Sequence, residues 1–293
     1  MKKVSILYNQ SAGGGDHNPE ELINRFSGQG TSVELAYTDE SDWKKSLNNS
    51  PDLIVVAGGD GTVHQVVLEI VKGGVDIPTL VLPLGTANNI SIALGDLKKQ
   101  AGKGPKEFIM FDAGRISGLG EPKYFFESMG FGVFPKYIRT IKDEKNKEEI
   151  KRNVSEIIRL FLKVVDDYSP GKTVIKVDGV KLKGKFLLVQ LFNIKLIGPN
   201  LNLAPRSVPD DGYFDLGLIP SKRKAEFKEY LSRLSAQKAL PEELENFFIR
   251  LKCKKVELKS KDSNLHIDDS LVDYSGEKIN IKMIPARIKF LQE

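Results

Sequence analysis

The chain has no long apolar run and almost no cysteine. Among its 293 residues, no stretch approaches the roughly 18 apolar residues needed to span a bilayer. The apolar run in residues 1–9 is too short for a signal peptide and has no small-residue cleavage site, so it is interpreted as a first strand. The single cysteine, Cys253, excludes an intrachain disulfide and is interpreted as a strand residue without chemistry. We therefore expect a cytoplasmic protein that is at most peripheral at the membrane.

Low-complexity segments, internal repeats and nucleic-acid recognition motifs are also missing. The 44 lysine and arginine residues outnumber the 39 acidic residues, which gives a net charge of +5 spread over several lysine-rich stretches. Most such stretches are solvated faces, but they permit a weak, transient attraction to a membrane surface with anionic headgroups. Without a recognition motif, the charge does not indicate nucleic-acid binding. The sequence leaves open whether the protein forms a homodimer.

The length of the chain is typical of two domains. In residues 1–118, strands alternate with helices, which predicts an α/β domain with a parallel sheet and helices on both faces. The spacing of apolar residues predicts strands at 4–8, 32–38, 52–57 and 79–82, and helices at 19–26, 42–48, 62–72 and 86–94.

Strands dominate residues 119–285, which predicts a mostly antiparallel sandwich or barrel. Asp178-Gly179 separates two alternating apolar runs and predicts a tight hairpin. Two helices are expected in this part, at about 148–165 and 224–235. The strands are expected at 108–116, 124–130, 174–178, 180–193, 213–219, 254–259, 265–268, 278–284 and 288–291. We leave open that residues 286–293 return to the first domain.

The segment Ala57-Gly58-Gly59-Asp60-Gly61-Thr62 follows a buried strand and precedes a helix. Its glycines allow the backbone to turn tightly and to approach phosphate groups. The helix that begins near Thr62 directs its N–H groups and dipole at such an anion. A carboxylate does not bind phosphate directly, because like charges repel. We therefore expect Asp60 to position Mg²⁺ or to take a proton from an acceptor hydroxyl.

A second glycine turn, Pro83-Leu84-Gly85-Thr86-Ala87-Asn88-Asn89, also joins a strand to a helix. Ligands of open α/β sheets bind beyond the carboxyl ends of the strands, so both turns are expected to face one crevice. One such turn is more often an ordinary connection with a capping threonine, but two at adjacent strand ends indicate a nucleotide site. The loop at residues 8–15 and the end of the second strand lie at the same edge, although their residues are individually more often plain turn residues. The predicted nucleotide contacts are Asn9, Ser11, Thr38, Gly58, Gly59, Asp60, Gly61, Thr62, His64, Gly85, Thr86, Asn88 and Asn89.

Two common nucleotide motifs do not match. The dinucleotide fingerprint requires Gly-x-Gly-x-x-Gly with a later acidic residue on a strand, and the Walker loop requires Gly-Lys-Ser/Thr. The phosphate site predicted above is of neither type.

Taken together, these motifs resemble the diacylglycerol kinase catalytic domain family, which includes bacterial lipid kinases and sphingosine kinases. The resemblance runs nearly end to end. Phe111-Asp112-Ala113-Gly114-Arg115 is similar to the family's segment at the domain crossover, and Pro285-Ala286-Arg287 to its terminal strand. Pro209-Asp210-Asp211-Gly212-Tyr213-Phe214-Asp215-Leu216 is similar to the segment that holds a structural Mg²⁺ in bacterial members.

The resemblance implies a fold and an activity. The fold is a Rossmann-like nucleotide domain, resembling phosphofructokinase and NAD kinase, over residues 1–118, followed by a β-sandwich acceptor domain over residues 119–285. The activity is transfer of the γ-phosphoryl group of ATP to a lipid hydroxyl with Mg²⁺, the lipid being diacylglycerol-like, phosphatidylglycerol-like or sphingoid-like. The structural Mg²⁺ is implied at Asp211 and at the backbone carbonyls of Val208 and Tyr213.

Three residues depart from the family pattern. Asn89 replaces an aspartate, so one carboxylate of the family's water and Mg²⁺ network is lost. His64 follows the nucleotide loop where bacterial members have asparagine, which is sphingosine-kinase-like. Ser270 stands where the family's late Asp-Gly-Glu motif supplies the general base, while Asp268 matches its aspartate. A serine does not act as a base without activation. Substitution by Asp268 or Asp269 is left open, and His266 is expected to be a structural strand residue, with a base role as the alternative.

Three hypotheses follow. The first is an ATP-dependent lipid kinase whose catalytic positions are Asp60, Asp268 and Ser270. The second is a catalytically weakened or inactive ATP- or lipid-binding homologue, and it rests on Asn89 and Ser270. The third is an NAD kinase-like enzyme, because that family shares Gly-Gly-Asp-Gly-Thr. The Pro-Asp-Asp-Gly segment and the terminal strand favour a lipid kinase.

Overall fold

The computed structural model describes residues 1–15, 17–100, 108–144, 150, 153–198 and 200–291. The chain divides into two compact units. Met1–Phe111 and Ala286–Glu293 make up the first unit, and Asp112–Pro285 make up the second.

The first unit alternates strands and helices, as its apolar periodicity predicts. Its strands are β1 (Lys2–Tyr8), β2 (Thr31–Tyr37), β3 (Leu53–Gly58) and β4 (Thr79–Pro83). Its helices are α1 (Pro19–Phe26), α2 (Lys45–Asn48), α3 (Asp60–Gly73) and α4 (Asn89–Gln100). The helix predicted at 42–48 is thus confirmed only in its second half.

The strands of the first unit form a parallel sheet in the order β2-β1-β3-β4. Residues 54–57 of β3 are fully buried, as expected for a strand covered on both faces. The chain moves outward from β1 to β2 on one side and continues through β3 and β4 on the other. Such a reversal of strand order opens a crevice at the carboxyl ends of the two central strands, which here are β1 and β3.

Strands dominate the second unit, and two of them cross its boundaries. The strands are β5 (Phe108–Ser117), β6 (Lys123–Phe125), β7 (Ser128–Gly132), β8 (Lys172–Val177), β9 (Val180–Phe192), β10 (Leu196–Ile197), β11 (Leu201–Asn202), β12 (Phe214–Pro220), β13 (Ile249–Cys253), β14 (Lys255–Ser260), β15 (Asn264–Ile267), β16 (Ser270–Asp273) and β17 (Ile279–Leu291). The helices are α5 (Val133–Asp143), α6 (Val154–Asp167) and α7 (Lys224–Ser235). The last strand, β17, ends in the first unit, where Phe290 pairs in parallel with Thr79 of β4.

The strand β9 belongs to two sheets. Its first half pairs antiparallel with β8, which in turn pairs with β14 and then β17. Its second half pairs with β7 and β12, and β7 continues to β15 and β16. A core of large apolar side chains includes Phe125 of β6, Phe131 of β7 and Phe214 of β12. A second core lies around α5, α6 and α7 and includes Phe161 and Phe227.

The predicted fold class, an α/β domain followed by a β-sandwich, is confirmed. The hairpin predicted at Asp178-Gly179 is also confirmed, and both residues have positive φ, of 42° and 100°, as a tight two-residue turn requires. Helix α5 was not predicted; Pro135 lies in its first turn, where proline is tolerated. The helix expected at 148–165 is found as α6 at Val154–Asp167; residues 148–149 and 151–152 of that expectation lie outside the described residues.

Several strand boundaries differ from the predicted ones. The predicted strand 124–130 is two strands, β6 and β7, and the two strands predicted at 278–284 and 288–291 form one, β17. The short strands β10, β11, β13 and β16 were not predicted. None of the helices in the described part of the chain is both long and apolar enough to cross a membrane.

Candidate functional site

The two glycine turns of the first unit touch each other. A Cβ atom added to Gly85 would lie 2.4 Å from the Cα atom of Gly59, and one added to Gly59 would lie 3.1 Å from the Cα atom of Gly85. Side chains do not tolerate approaches this short, so only glycine permits the contact. The two turns therefore form one continuous backbone surface at the carboxyl ends of β3 and β4.

Asp60, the first residue of α3, ties the two turns together. Its Oδ1 atom accepts a hydrogen bond of 3.1 Å from the backbone N–H of Ile90, in the first turn of α4. The side chain is buried, with 8% of the residue exposed. A carboxylate at the amino terminus of a helix is stabilised by the helix dipole. Asp60 thus already has a structural role, as a cap of α4, besides any role toward a ligand.

Asn88 closes the second turn. Its side chain accepts from the backbone N–H of Gly85 at 2.9 Å and donates to the carbonyl of Gly85 at 2.7 Å. Asn88 has a φ of 52°, a conformation that asparagine tolerates better than most residues. Its side chain is therefore committed to the shape of the loop.

The loop after β1 joins the same surface. Asn9 Nδ2 donates to Thr62 Oγ1 at 3.0 Å, which connects the ends of β1 and β3 across the reversal of strand order. Asn9 Oδ1 accepts from the backbone N–H and the hydroxyl of Ser11, at 3.0 and 2.8 Å. A Cβ atom at Gly13 would lie 2.3 Å from the carbonyl oxygen of Leu84. Three loops therefore converge at one edge of the sheet.

Helix α3 presents its amino terminus at this edge. Its N-cap residue is Gly59, which has no side chain to accept from the first N–H groups of the helix. Such groups form a ready site for an anion. Gly61, in the first turn, is exposed, and a Cβ atom added to it would have no neighbour within 4 Å.

The other predicted contacts have less direct geometry. Thr38 follows β2, is buried, and its hydroxyl lies 3.4 Å from the carbonyl oxygen of Tyr8. His64 is half-buried within α3, and Thr86 is exposed in the second turn. Asn89, the first residue of α4, is buried.

Asp112 organises a loop of the second unit. Its Oδ2 atom accepts from the backbone N–H of Gly212 at 2.7 Å, and its own N–H donates to the carbonyl of Pro209 at 2.7 Å. Asn193 donates to the carbonyls of Asp112 and Phe126, at 3.0 and 2.8 Å. The segment that resembles a metal-binding loop is therefore held in place by Asp112.

The residues around Asp211 do not fit a structural divalent cation. Asp211 Oδ1 accepts from the backbone N–H of Tyr213 at 2.9 Å, and its Oδ2 atom forms an ion pair with the ammonium group of Lys252. The ammonium of Lys254 lies 4.4 Å from the centre of the Tyr213 ring. A divalent cation at Asp211 would meet the positive charge of Lys252 at the same carboxylate. The third implied ligand residue, Val208, is half-buried in the same segment.

Asp268 is occupied by backbone N–H groups of the second unit. Its carboxylate accepts from Phe126 at 3.0 Å, from Glu127 at 2.9 Å and from Ser128 at 3.0 Å. Asp268 has a φ of 47° and is buried. These hydrogen bonds fix the turn that precedes β7. Ser270, two residues later, is exposed at the start of β16.

His266 is fully buried and neutral. Burial lowers its pKa to about 4. Its Nδ1 atom lies 2.8 Å from the carbonyl oxygen of Asp268, which can only accept, so Nδ1 carries the proton. Nε2 must then accept, and it lies 2.7 Å from Nε2 of Gln190. With both ring nitrogens engaged inside the protein, His266 has a structural geometry, as expected from its position on a strand.

Lys252, Asn193 and Gln190 are polar residues with structural contacts that were not predicted from the sequence. Lys252 belongs to a lysine-rich run that was interpreted as solvated, and its pairing with Asp211 arises because β12 and β13 are neighbours. Asn193 and Gln190 lie at the end of an apolar strand, where a polar residue among buried neighbours is the signal that could have identified them. Cys253, in β13, is fully buried, and burial raises the pKa of its thiol to about 12.

The described residues contain no group of three or more His, Cys, Asp or Glu side chains arranged to hold a metal ion. Mg²⁺ is commonly bound through one or two carboxylates together with substrate phosphates. Asp60 therefore fits a magnesium ion that enters with a nucleotide.

Two family models match the chain. Residues 3–110 match the diacylglycerol kinase catalytic domain, and residues 141–288 match the YegS C-terminal NAD kinase beta sandwich-like domain. The chain is 27% identical over 242 residues to a diacylglycerol kinase of Bacillus subtilis (strain 168), a match that covers 78% of this chain and 77% of the relative.

Solved structures show the same fold. A diacylglycerol kinase from Bacillus anthracis str. Sterne superimposes with a TM-score of 0.69 at 18% identity, covering 100% of this chain and 97% of that one. An NAD kinase from Archaeoglobus fulgidus in complex with ATP superimposes with a TM-score of 0.51 at 15% identity, covering 99% and 93%.

Proposed function

Because the chain belongs to the diacylglycerol kinase catalytic domain family and carries the β-sandwich domain that accompanies it in the YegS type, we propose that it is an ATP-dependent lipid kinase. The reaction is transfer of the γ-phosphoryl group of ATP to the hydroxyl group of a lipid. The acceptor classes that we propose are diacylglycerol-like, phosphatidylglycerol-like and sphingoid-like lipids.

The observation that carries this proposal is the contact between Gly59 and Gly85. It brings two strand-to-helix turns together so that their backbones form one surface. A triphosphate needs several N–H donors at close range, and side chains between the turns would keep it away. The amino terminus of α3 and the exposed Gly61 lie on this surface.

The chain's own residues contribute mainly by positioning. Phosphoryl transfer depends largely on holding the groups in line and stabilising their charge. Gly58, Gly59, Gly61, Thr62, Gly85, Thr86 and Asn88 are proposed to hold the triphosphate, and Asn9 fixes Thr62. Asp60 is proposed to bind the Mg²⁺ that accompanies ATP, which neutralises phosphate charge. The hydrogen bond that Asp60 accepts from the backbone N–H of Ile90 already fixes the position of its carboxylate.

Asp60→Asn tests the proposal. Asparagine retains an oxygen that can accept from Ile90, so the loops keep their connection while the negative charge is lost. We expect phosphorylation of a lipid extract with labelled ATP by the wild type and a loss of at least about 100-fold in Asp60→Asn, with a similar thermal unfolding midpoint. Mass analysis of the labelled product identifies the acceptor. Equal turnover by the two proteins would refute the proposal.

The second candidate function is that of a weakened or inactive ATP-binding homologue. The geometry of the second unit favours it. The Asp268 carboxylate accepts hydrogen bonds from three backbone N–H groups, and His266 is buried and neutral. Ser270 stands where the family motif has its general base, and a serine does not act as a base without activation. The double variant Asn89→Asp with Ser270→Glu distinguishes the two functions. A large gain of activity supports the weakened homologue, and an unchanged rate argues against it.

An NAD kinase-like reaction is the remaining alternative. The likeness to the Archaeoglobus fulgidus structure concerns the fold alone, and the match to the diacylglycerol kinase catalytic domain favours a lipid acceptor. A coupled assay with NAD as acceptor decides this point.

A further inference from the structure

One sheet of the second unit has an outer face made largely of lysines. Side chains of the antiparallel strands β8, β9, β14 and β17 alternate between the two faces of the sheet. The inward positions, such as Ile175, Leu258 and Ile281, are buried in the core. The outward positions hold eight exposed lysines, here called the lysine face: Lys172, Lys176, Lys181, Lys183, Lys185, Lys255, Lys259 and Lys282.

The positive charge of the protein is concentrated on this face. Among the outward positions of these strands, all of which are described, Glu257 is the only acidic residue, and it pairs with Lys176. The outward positions of residues 172–185, 255–260 and 279–284 thus carry a charge of +7, which exceeds the +5 of the whole chain. The adjoining turns contribute charges of both signs, among them Asp178, Glu277 and Lys278. The remainder of the protein is therefore close to neutral or slightly acidic.

Several lysines face each other directly across neighbouring strands. The opposed pairs are Lys172 with Lys185, Lys176 with Lys181, and Lys255 with Lys282. Like charges in directly opposed positions destabilise a sheet. Lysines often protect the open edge of a sheet from aggregation, but β8 and β14 are paired on both sides. Neither folding nor edge protection accounts for this concentration of charge.

The chemistry of the lysine face matches an anionic bilayer better than a nucleic acid. At the outward positions of residues 172–185, 255–260 and 279–284, the face contains no arginine and no aromatic residue. Nucleic-acid surfaces usually add aromatic stacking or bidentate arginine contacts to their positive charge. A broad array of lysines is suited to headgroups that move laterally, because the ammonium group is a point charge on a flexible stem. Each lysine near an anionic membrane strengthens binding by about fivefold.

We propose that the lysine face is a docking surface for an anionic lipid bilayer. The proposal concerns where the protein binds, and its test needs neither ATP nor turnover. Its outcome is therefore separate from that of the proposed kinase reaction.

The test measures sedimentation of the full chain with phosphatidylcholine vesicles that contain or lack phosphatidylglycerol. The wild type is expected to bind only the anionic vesicles, more weakly as salt is added. The triple variant Lys181→Gln, Lys183→Gln, Lys185→Gln is expected to lose about 100-fold in affinity. A second triple variant, Lys172→Gln, Lys255→Gln, Lys259→Gln, should lose a similar factor. Unfolding midpoints no lower than that of the wild type, expected because repulsion is relieved, show that both variants are folded.

The matched control removes three exposed lysines that lie outside the face: Lys142→Gln, Lys222→Gln, Lys238→Gln. It changes net charge by the same amount and should lose less than about fivefold, the effect of one lysine. An equal loss in the control and the face variants would overturn the proposal, since net charge alone would then explain binding. So would equal binding to neutral vesicles, no loss in either face variant, or tighter binding of single-stranded or duplex DNA at the same salt concentration.

Discussion

Three aspartates for which the family resemblance implies a role toward a ligand or in catalysis already form hydrogen bonds or ion pairs within the protein. Asp60 accepts from Ile90, Asp211 pairs with Lys252, and Asp268 accepts from three backbone N–H groups. Asp60 differs from the other two because it lies beside a helix amino terminus and an exposed glycine turn. The partners of Asp211 and Asp268, by contrast, all belong to the second unit.

Lys252 is expected to make the Asp211 loop independent of magnesium. The wild-type unfolding midpoint should be the same in Mg²⁺ and in a chelator. Lys252→Met removes the ammonium, costs at most about 1 kcal/mol because the ion pair is partly exposed, and leaves the carboxylate for Mg²⁺. The midpoint of this variant should therefore rise when Mg²⁺ is added.

Lys254→Met is the control for this experiment. It removes a neighbouring positive charge that lies over the Tyr213 ring but does not pair with Asp211, so its midpoint should not respond to Mg²⁺. A wild type that is stabilised by Mg²⁺ as strongly as Lys252→Met would contradict the assignment.

His266 predicts a loss of stability in mild acid. Its pKa is about 4 in the folded protein, below the usual value near 6.5, because of burial. The unfolded chain thus binds the proton more readily, and stability falls as pH decreases from about 6.5 toward 4. Between pH 7 and 5 the loss from this group is about 2 kcal/mol.

Urea unfolding at the two pH values measures this loss. The half-buried His64 provides the control: His64→Gln should keep the pH dependence, and His266→Gln should reduce it. An unchanged pH dependence in His266→Gln would show that another group is responsible.

At the scale of single elements, the hairpin between β8 and β9 gives a simple test of the backbone. Gly179 has a φ of 100° and open space around its Cα, so Gly179→Ala meets no neighbour and its cost is conformational. We expect a loss of about 1 kcal/mol in the free energy of unfolding. Gly179→Asn should lose less, because asparagine tolerates positive φ better. An alanine variant as stable as the wild type would show that the turn is not held in this conformation.

The sequence predicted the helices and turns whose signals lie within a few neighbouring residues. Helix α1 lies at the predicted residues because Asn18 caps it and Pro19 occupies its first position. The Asp178-Gly179 turn is likewise a two-residue signal. The extent of β9 could not be predicted, because one apolar run gives no sign that its two halves belong to different sheets. Helix α5, which buries six of its residues, was not predicted.

At the scale of the whole chain, the order of elements predicted the fold class, an α/β part followed by a part dominated by strands. The convergence of the two glycine turns followed from the adjacency of β3 and β4. The hydrogen-bonded pairs of buried polar residues in the second unit could not be predicted. Asp268 meets Phe126 across 142 positions of sequence, and His266 meets Gln190 across 76. Such contacts depend on which strands become neighbours in an antiparallel sandwich. The spacing of apolar residues within one strand does not indicate which strands will lie beside it.

The central claim is that the Gly58–Thr62 and Gly85–Asn88 turns bind a nucleotide triphosphate through their backbones. Gly61 tests it most directly, because a methyl group there meets nothing within 4 Å apart from the neighbouring backbone of its own helix and would intrude on a bound ligand. Gly95, within α4, is also open, so Gly95→Ala is a matched control. Replacing a helical glycine with alanine stabilises a helix by up to about 1 kcal/mol.

The measurement is the affinity of the full chain for ATP by titration calorimetry, with unfolding midpoints for each variant. We predict that Gly61→Ala binds ATP at least about tenfold more weakly while its midpoint does not fall, and that Gly95→Ala binds ATP like the wild type. A Gly61→Ala variant that binds ATP as tightly as the wild type would contradict the account.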